Sequence, residues 1–145
     1  MNVVVLTHGN LAASLLSSAK VIAGELEGIQ ALCLDWADGL PEAQEKISIV
    51  LGGLDRGAGT LILTDMFGST PCRAALSFQD PGRLEVLTGV NLPMVVRLGC
   101  NRATDLDLEE TARWLVAKGQ GSICLGRDQA CANTCAYDPN DREKR

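Results

Sequence analysis

The chain has 145 residues, which is enough for one domain with its own hydrophobic core and too few for two. Hydrophobic residues make up 46% of it and charged residues 21%, proportions typical of a folded domain. A net charge of −5 without a stripe of Lys and Arg argues against nucleic-acid binding. The N-terminus lacks the basic region and cleavage site of a signal peptide, and no apolar run reaches the ~18 residues of a membrane span, so we expect a cytoplasmic protein.

Short apolar runs alternate with segments of helical periodicity along most of the chain. The β-branched run at 2–7 is typical of a strand buried on both faces, and Asn10 can cap the helix after it. Pro41 suits the first position of a second helix. In chain order, the pattern predicts a strand at 2–7, a helix at 11–26, a strand at 29–34, a helix from 41 to about 54, a strand at 60–64, a helix at 71–78, a strand at 84–88 and a helix at about 108–118.

Two later segments are less clear. The β-branched content of residues 92–98 favours a strand, although Pro93 can also open a helix. Asp107 and Glu110 have the spacing of a capping box for the last helix. Beyond residue 118 the periodicity is weak, and 122–125 is a candidate for a short edge strand.

Strands that alternate with helices at these spacings form βαβ units, whose crossovers are right-handed. The predicted fold is therefore α/β: a single-domain open, mostly parallel sheet with helices on both faces. We assign residues 1–125 to this domain and 126–145 to a flexible tail.

Open parallel sheets bind ligands beyond the carboxyl ends of their strands. The first predicted strand ends at the only histidine, His8, which is followed by Gly9, and the third ends at Asp65. A neutral imidazole is a competent nucleophile, and a carboxylate at a neighbouring strand end can accept a hydrogen from one ring nitrogen and leave the other free. The competing interpretations are a surface histidine with local hydrogen bonds and an aspartate that serves as a turn residue.

The loop after Asp65 also carries polar groups. Thr70 fits an N-cap and Pro71 the first helical position, and the amides and hydroxyls of Gly68, Ser69 and Thr70 suit a phosphoryl group. Together with Gly9, these three are the residues that we expect to bind phosphate. An ordinary capped helix start explains the same residues, so only the combination with His8 favours a phosphate site. The motifs call for no cofactor and no metal.

The remaining candidates point to structure more than to chemistry. Cys131 and Cys135 are spaced C-x₃-C with Cys124 nearby, but the chain has no Cys₂His₂ pattern, so we expect free thiols. Asp35 and Asp38 are interpreted as surface loop residues, not metal ligands.

Three segments resemble a known family. They are V-V-V-L-T-H-G-N-L-A at 3–12, T-D-M-F-G-S-T-P-C-R-A-A at 64–75 and T-G-V-N-L-P-M at 88–94. In this order and spacing they are similar to the IIA components of the mannose-family sugar phosphotransferase systems, over about residues 1–118. The family often has two glycines and then serine after the phenylalanine, where this chain has 68–70 as Gly-Ser-Thr.

The resemblance implies a function and a set of roles. His8 takes a phosphoryl group from the phosphocarrier protein HPr and passes it to a IIB component, Asp65 supports the histidine, and Thr70 is the hydroxyl residue before the motif's proline. It also implies a homodimer, a helix at 92–98 and, because the chain ends early, no fused IIB domain.

Other functions stay open at this stage. A IIA-like phosphoprotein can instead regulate a kinase or a transcription regulator, and a scaffold without catalysis is conceivable. A receiver-like domain phosphorylated on Asp65 is disfavoured, because the first strand ends in 7–9 (Thr-His-Gly) where that fold needs an acidic pair for Mg²⁺.

Overall fold

The computed structural model describes residues 1–100 and 106–127 of the chain. These residues form a parallel sheet with helices packed on both of its faces. The predicted α/β class is confirmed. The strands are β1 Asn2–His8, β2 Ile29–Leu34, β3 Thr60–Thr64 and β4 Leu84–Thr88. The helices are α1 Leu11–Ala23, α2 Leu40–Gly52, α3 Thr70–Leu76, α4 Leu92–Cys100 and α5 Leu108–Gly121, with a short 3₁₀ turn at Arg56–Ala58.

The strand order is β2-β1-β3-β4, and every neighbouring pair is parallel. β1 and β3 are the central strands, and their apolar, β-branched sequences are almost fully buried. The register pairs Leu6 with Thr64 and His8 with Leu34, so β1, β2 and β3 end at one edge of the sheet. The loops after these strands therefore meet at that edge.

Alternating residues of the strands build two separate cores. One face of the sheet packs against α1, α4 and α5, and the other face packs against α2 and α3. The first core takes Val3, Val5, Leu61 and Leu63 from the central strands, and the second takes Val4, Leu6 and Ile62. With few aromatic residues, these small aliphatic side chains supply most of the buried apolar surface and hence of the stabilisation.

The helix ends differ from the sequence prediction by a few residues. α1 stops at Ala23, not at 26, because Gly24 adopts a φ of +83° that ends the helix. Leu26 still reaches the core from outside the helix, which is why its periodicity misled the prediction. Pro41 is the second residue of α2, after Leu40, and not the first.

Residues 92–98 are helical, so the strand favoured by their β-branched content is wrong and the helix implied by the resemblance is correct. The side chain of Asn91 accepts a hydrogen bond from the Met94 backbone N–H at 3.2 Å and so begins α4. The candidate strand at 122–125 is absent: α5 continues to Gly121, and these residues follow it without strand pairing.

The caps were predicted correctly in one case of three. Asp107 and Glu110 form the expected capping box. Asn10 makes no side-chain cap; instead the Thr7 hydroxyl accepts the Ala12 N–H at 2.8 Å. Ser69, not Thr70, is the N-cap of α3, since its hydroxyl accepts the backbone N–H of residue 72 at 3.4 Å.

Candidate functional site

His8 and Asp65 meet at the carboxyl edge of the sheet, as the sequence predicted. His8 is the last residue of β1, and Asp65 directly follows β3, its neighbour. The distance from His8 Nδ1 to Asp65 Oδ2 is 2.8 Å, and the His8 backbone N–H donates to the same oxygen at 2.9 Å. Both side chains are largely buried, with 23% of His8 and 12% of Asp65 exposed.

The hydrogen bonds of Asp65 keep it ionised. Burial by itself raises the pKa of this carboxyl group, but the backbone N–H and ring of His8, followed by the N–H of Met66, outweigh burial and hold the pKa below its ordinary value. A carboxylate has no proton to donate, so Nδ1 of His8 carries the hydrogen in this contact. Nε2 is then left with its lone pair, and the ring can act there as a nucleophile.

The loop at 66–69 supports Asp65 from its other side. Asp65 Oδ1 accepts the Met66 N–H at 2.8 Å and the Ser69 hydroxyl at 3.3 Å. Ser69 therefore orients the carboxylate and caps α3 with the same oxygen. Within residues 1–100 and 106–127, the backbone N–H groups of Gly68 and Thr70 donate to no other group.

Gly9, the fourth residue predicted to bind phosphate, is placed differently from the loop amides. Its backbone N–H donates to the Leu34 carbonyl at 2.7 Å, so that amide is already engaged. Gly9 has a φ of +52°, which an L side chain rarely adopts. A Cβ at this position would lie 3.2 Å from Nε1 of Trp36, so the glycine leaves room for the indole.

Trp36 is the site contact that the sequence analysis missed. Its indole is stacked on the imidazole of His8, with the ring centroids 5.1 Å apart and the planes 13° from parallel. A usable signal was present: Trp36 follows β2, the other neighbour of β1, by two residues in a chain with only 3% aromatic residues. Asp35 and Asp38, interpreted as loop residues, flank it and bind Lys46.

The other predicted features stay separate from this site. Cys33, Cys72 and Cys100 are free thiols, whereas Cys124 is disulfide-bonded, so the prediction of a free thiol is wrong there. Cys131 and Cys135 lie outside the described residues. In the described part of the chain, no three His, Cys, Asp or Glu residues are grouped to hold a metal ion, and no helix is long and apolar enough to cross a membrane.

Comparison with known proteins gives this geometry a context. A family model described as "PTS system fructose IIA component" matches residues 2–114. The chain belongs to this IIA family. The match spans both His8 and Asp65 and confirms the resemblance stated from the sequence motifs.

Two curated phosphotransferase-system components are similar in sequence. The "PTS system mannose-specific EIIAB component" of Escherichia coli (strain K12) is 32% identical over an alignment of 127 residues, which covers 83% of this chain and 38% of that protein. The chain therefore spans little more than a third of that relative's length. The "PTS system fructose-specific EIIA component" of Bacillus subtilis (strain 168) is 31% identical over 99 residues, 68% of each protein.

Solved IIA structures share the fold. A mannose/sorbose-specific IIA subunit from Enterococcus faecalis has a TM-score of 0.78 and 28% identity, covering 86% of this chain and 92% of that one. A IIA protein associated with a fucose utilization operon of Streptococcus pneumoniae has a TM-score of 0.70 and 26% identity, covering 89% and 95%. The family places the protein among phosphotransferase-system components and so supports a role in phosphoryl transfer.

Proposed function

We propose that this protein carries phosphoryl groups in a sugar phosphotransferase system, accepting them from phospho-HPr on His8 and passing them to a IIB component. The observation that carries the proposal is the 2.8 Å contact between Nδ1 of His8 and Asp65, which leaves Nε2 as the nucleophile. Membership of the IIA family supports the same role.

The transfer is a balanced exchange between two imidazoles. The lone pair on Nε2 of His8 forms a bond to phosphorus while the N–P bond of phospho-HPr breaks and its electrons return to the donor ring. Nδ1 of His8 keeps its proton, so positive charge develops on the ring. The Asp65 carboxylate, already ionised and in place, stabilises that charge, and transfer to IIB reverses the step.

The transferred group needs hydrogen-bond donors for its oxygens. Gly68 and Thr70 offer unengaged backbone N–H groups, and Thr70 adds a hydroxyl. The hydroxyl of Ser69 is occupied by Asp65 and the helix cap, so its part is to hold the carboxylate. The amide of Gly9 is already bonded to Leu34, so Gly9 does not bind the phosphoryl group through it. Its contribution to the site is the space that the missing side chain leaves for the indole of Trp36.

The proposal extends to partners and location. Phospho-HPr and a IIB component are the donor and acceptor, and the protein acts in the cytoplasm as a homodimer. Similarity to the IIA family, and not the sheet itself, supports this part of the proposal. The mannose-specific relatives are much longer than this chain, so the partners of the whole system are proposed on the strength of the matched segment alone.

The test is phosphorylation in a reconstituted system. We incubate the protein with phosphoenolpyruvate, the general kinase of the system and HPr, and map the phosphate. We expect one acid-labile, alkali-stable adduct on His8, which IIB then removes, and no adduct on His8→Ala. Labelling of His8→Ala at the wild-type rate would contradict the proposal. Labelling of the wild type without transfer to any IIB would favour a regulatory phosphoprotein.

A further inference from the structure

The contact between Trp36 and His8 has no part in the mechanism above. The indole lies nearly parallel to the imidazole, at a centroid separation of 5.1 Å, although 82% of Trp36 is exposed to solvent. An exposed tryptophan has many alternative rotamers, so its position against the one histidine of the chain calls for an explanation. It covers one face of the ring that carries the reacting nitrogen.

The backbone that carries Trp36 is tied down by a small polar network. The Asp38 N–H donates to the Asp35 carbonyl at 3.0 Å, and the Asp35 N–H donates to Asp38 Oδ2 at 2.8 Å, which closes the turn. Lys46 of α2 donates to Asp38 Oδ2 at 2.6 Å and to Asp35 Oδ2 at 3.3 Å. The hydrogen bond from Lys46 lowers the pKa of Asp38, and the hydrogen bond to Asp38 raises the pKa of Lys46, so both remain charged.

Gly9 completes the arrangement from the other side. The space above its Cα is filled by the indole, whose Nε1 would lie 3.2 Å from a Cβ at this position. The turn at 35–38 and the glycine after His8 thus hold Trp36 in one place, flat against the imidazole.

We propose that Trp36 is a positioning residue for His8, an inference that rests on the proposed function. Asp65 fixes the rotation of the imidazole through one hydrogen bond at Nδ1, but a single bond leaves the ring free to tilt about that contact. The flat contact with the indole fixes the plane, so Nε2 points in one direction. The indole face also attracts the positive charge that develops on the ring as the N–P bond forms.

The test separates positioning from docking by the choice of phosphoryl donor. Phosphoramidate is a small donor for histidine that needs no protein surface. We expect Trp36→Ala and Trp36→Leu to slow the labelling of His8 by phosphoramidate about three- to tenfold, and Trp36→Phe to retain most of the rate because it keeps an aromatic face. All rates are compared in a Trp114→Phe background, since Trp114 on α5 is the only other tryptophan.

A spectroscopic measurement checks the contact without any phosphoryl transfer. His8 is the only histidine, so its ring protons give one pair of signals, which the indole shifts upfield. Trp36→Ala and Trp36→Leu should remove that shift and Trp36→Phe should keep part of it. Emission from Trp36 in the Trp114→Phe background should likewise change in His8→Ala.

The outcomes distinguish the two proposals. If Trp36→Ala is labelled by phosphoramidate at the wild-type rate, the positioning role is wrong, and a loss confined to phospho-HPr would show that Trp36 only contacts the donor protein. If the wild type is labelled by phosphoramidate but not by phospho-HPr, the carrier function is wrong. The positioning role of Trp36 is then still tested by the phosphoramidate labelling rates of the wild type and the Trp36 variants. Unchanged His8 ring signals in Trp36→Ala would overturn the inference outright.

Discussion

Two loops hold His8, and they do so by opposite means. The 65–69 loop after β3 contacts the ring edge through the ionised Asp65, which is largely buried and accepts four hydrogen bonds. The 35–38 turn after β2 contacts the ring face through Trp36, which is mostly exposed and apolar. The polar contact selects which ring nitrogen carries the hydrogen. The apolar contact makes no such selection: it restricts the plane of the ring and attracts the positive charge that develops there.

The difference predicts an order of effects. A charge-assisted hydrogen bond between largely buried side chains is worth more than a stacked contact at the surface. Variants in the 65–69 loop should therefore slow phosphoryl transfer more than variants in the 35–38 turn, and their effects should differ in kind.

The largest effect is expected at Asp65. Asp65→Ala removes a charge-assisted hydrogen bond worth about 1.5–3 kcal/mol, so phosphorylation of His8 should slow by roughly 10- to 150-fold. Rapid-quench labelling with phospho-HPr measures the rate. His8 also loses a backbone partner in this variant, so circular dichroism must show that the sheet is intact.

Asp65→Asn sharpens the same comparison. If its amide nitrogen faces His8 it donates to Nδ1, places the hydrogen on Nε2 and blocks attack; if its oxygen faces His8, the right tautomer survives and only the charge is lost. Ring ¹⁵N spectra of the two variants identify the tautomer. Wild-type rates in both folded variants would show that Asp65 does not orient His8.

A smaller effect on the phosphorylation rate of His8 is expected from a change at Lys46, because Lys46 acts on Trp36 only through the 35–38 turn. Lys46→Met removes both bonds to Asp35 and Asp38 and keeps the aliphatic stem, so the indole should lose part of its order. Because surface ion pairs contribute little, we expect labelling of His8 to slow by about twofold.

Lys20→Met is the matched control, because it breaks an exposed ion pair with Glu25 away from the site. The His8 ring signals should move toward those of Trp36→Ala in Lys46→Met and not in the control. Identical spectra for the two variants would mean that the turn does not position Trp36.

Much of the site could be predicted because parallel strand ends meet at one edge. The bounds of the four strands were correct to within a residue, and since β1 and β3 are neighbours in the sheet, their ends bring His8 and Asp65 together. The roles of Ser69 and Trp36 could not be derived in the same way. Which hydroxyl caps α3 depends on one residue of helix register, and the Trp36 contact depends on a turn that Lys46, eight residues beyond Asp38, holds in place.

The intrinsic strand preference of individual residues gave a wrong prediction for α4, where tertiary packing determines the secondary structure. The β-branched residues of α4 favour a strand by themselves, but Met94, Val95 and Leu98 are buried against the core shared with α1 and α5. The helix start at Asn91 and Pro93 outweighs the intrinsic preference. The boundary between the domain at 1–125 and a flexible tail at 126–145 stays a prediction.

The smallest expected effect is on the free energy of unfolding and its dependence on pH. The folded-state pKa of Asp65 is below its unfolded value of about 3.9, so the ionised Asp65 stabilises the folded protein above that pH. This contribution to the free energy of unfolding is lost as the pH falls through the lowered folded pKa. The wild type should therefore lose its advantage in unfolding free energy over Asp65→Asn as the pH falls below about 4. Urea denaturation of both proteins from pH 7 down to 3 measures it, and a constant difference would contradict the assignment.

The most direct test is to identify the phosphorylated nitrogen. Protein labelled with ¹⁵N in the ring of its single histidine is phosphorylated by phospho-HPr, and the coupling between ³¹P and ¹⁵N identifies the bonded atom. Because Asp65 holds the hydrogen on Nδ1, the phosphate should be on Nε2. Phosphate on Nδ1, or on any residue other than His8, would contradict the account.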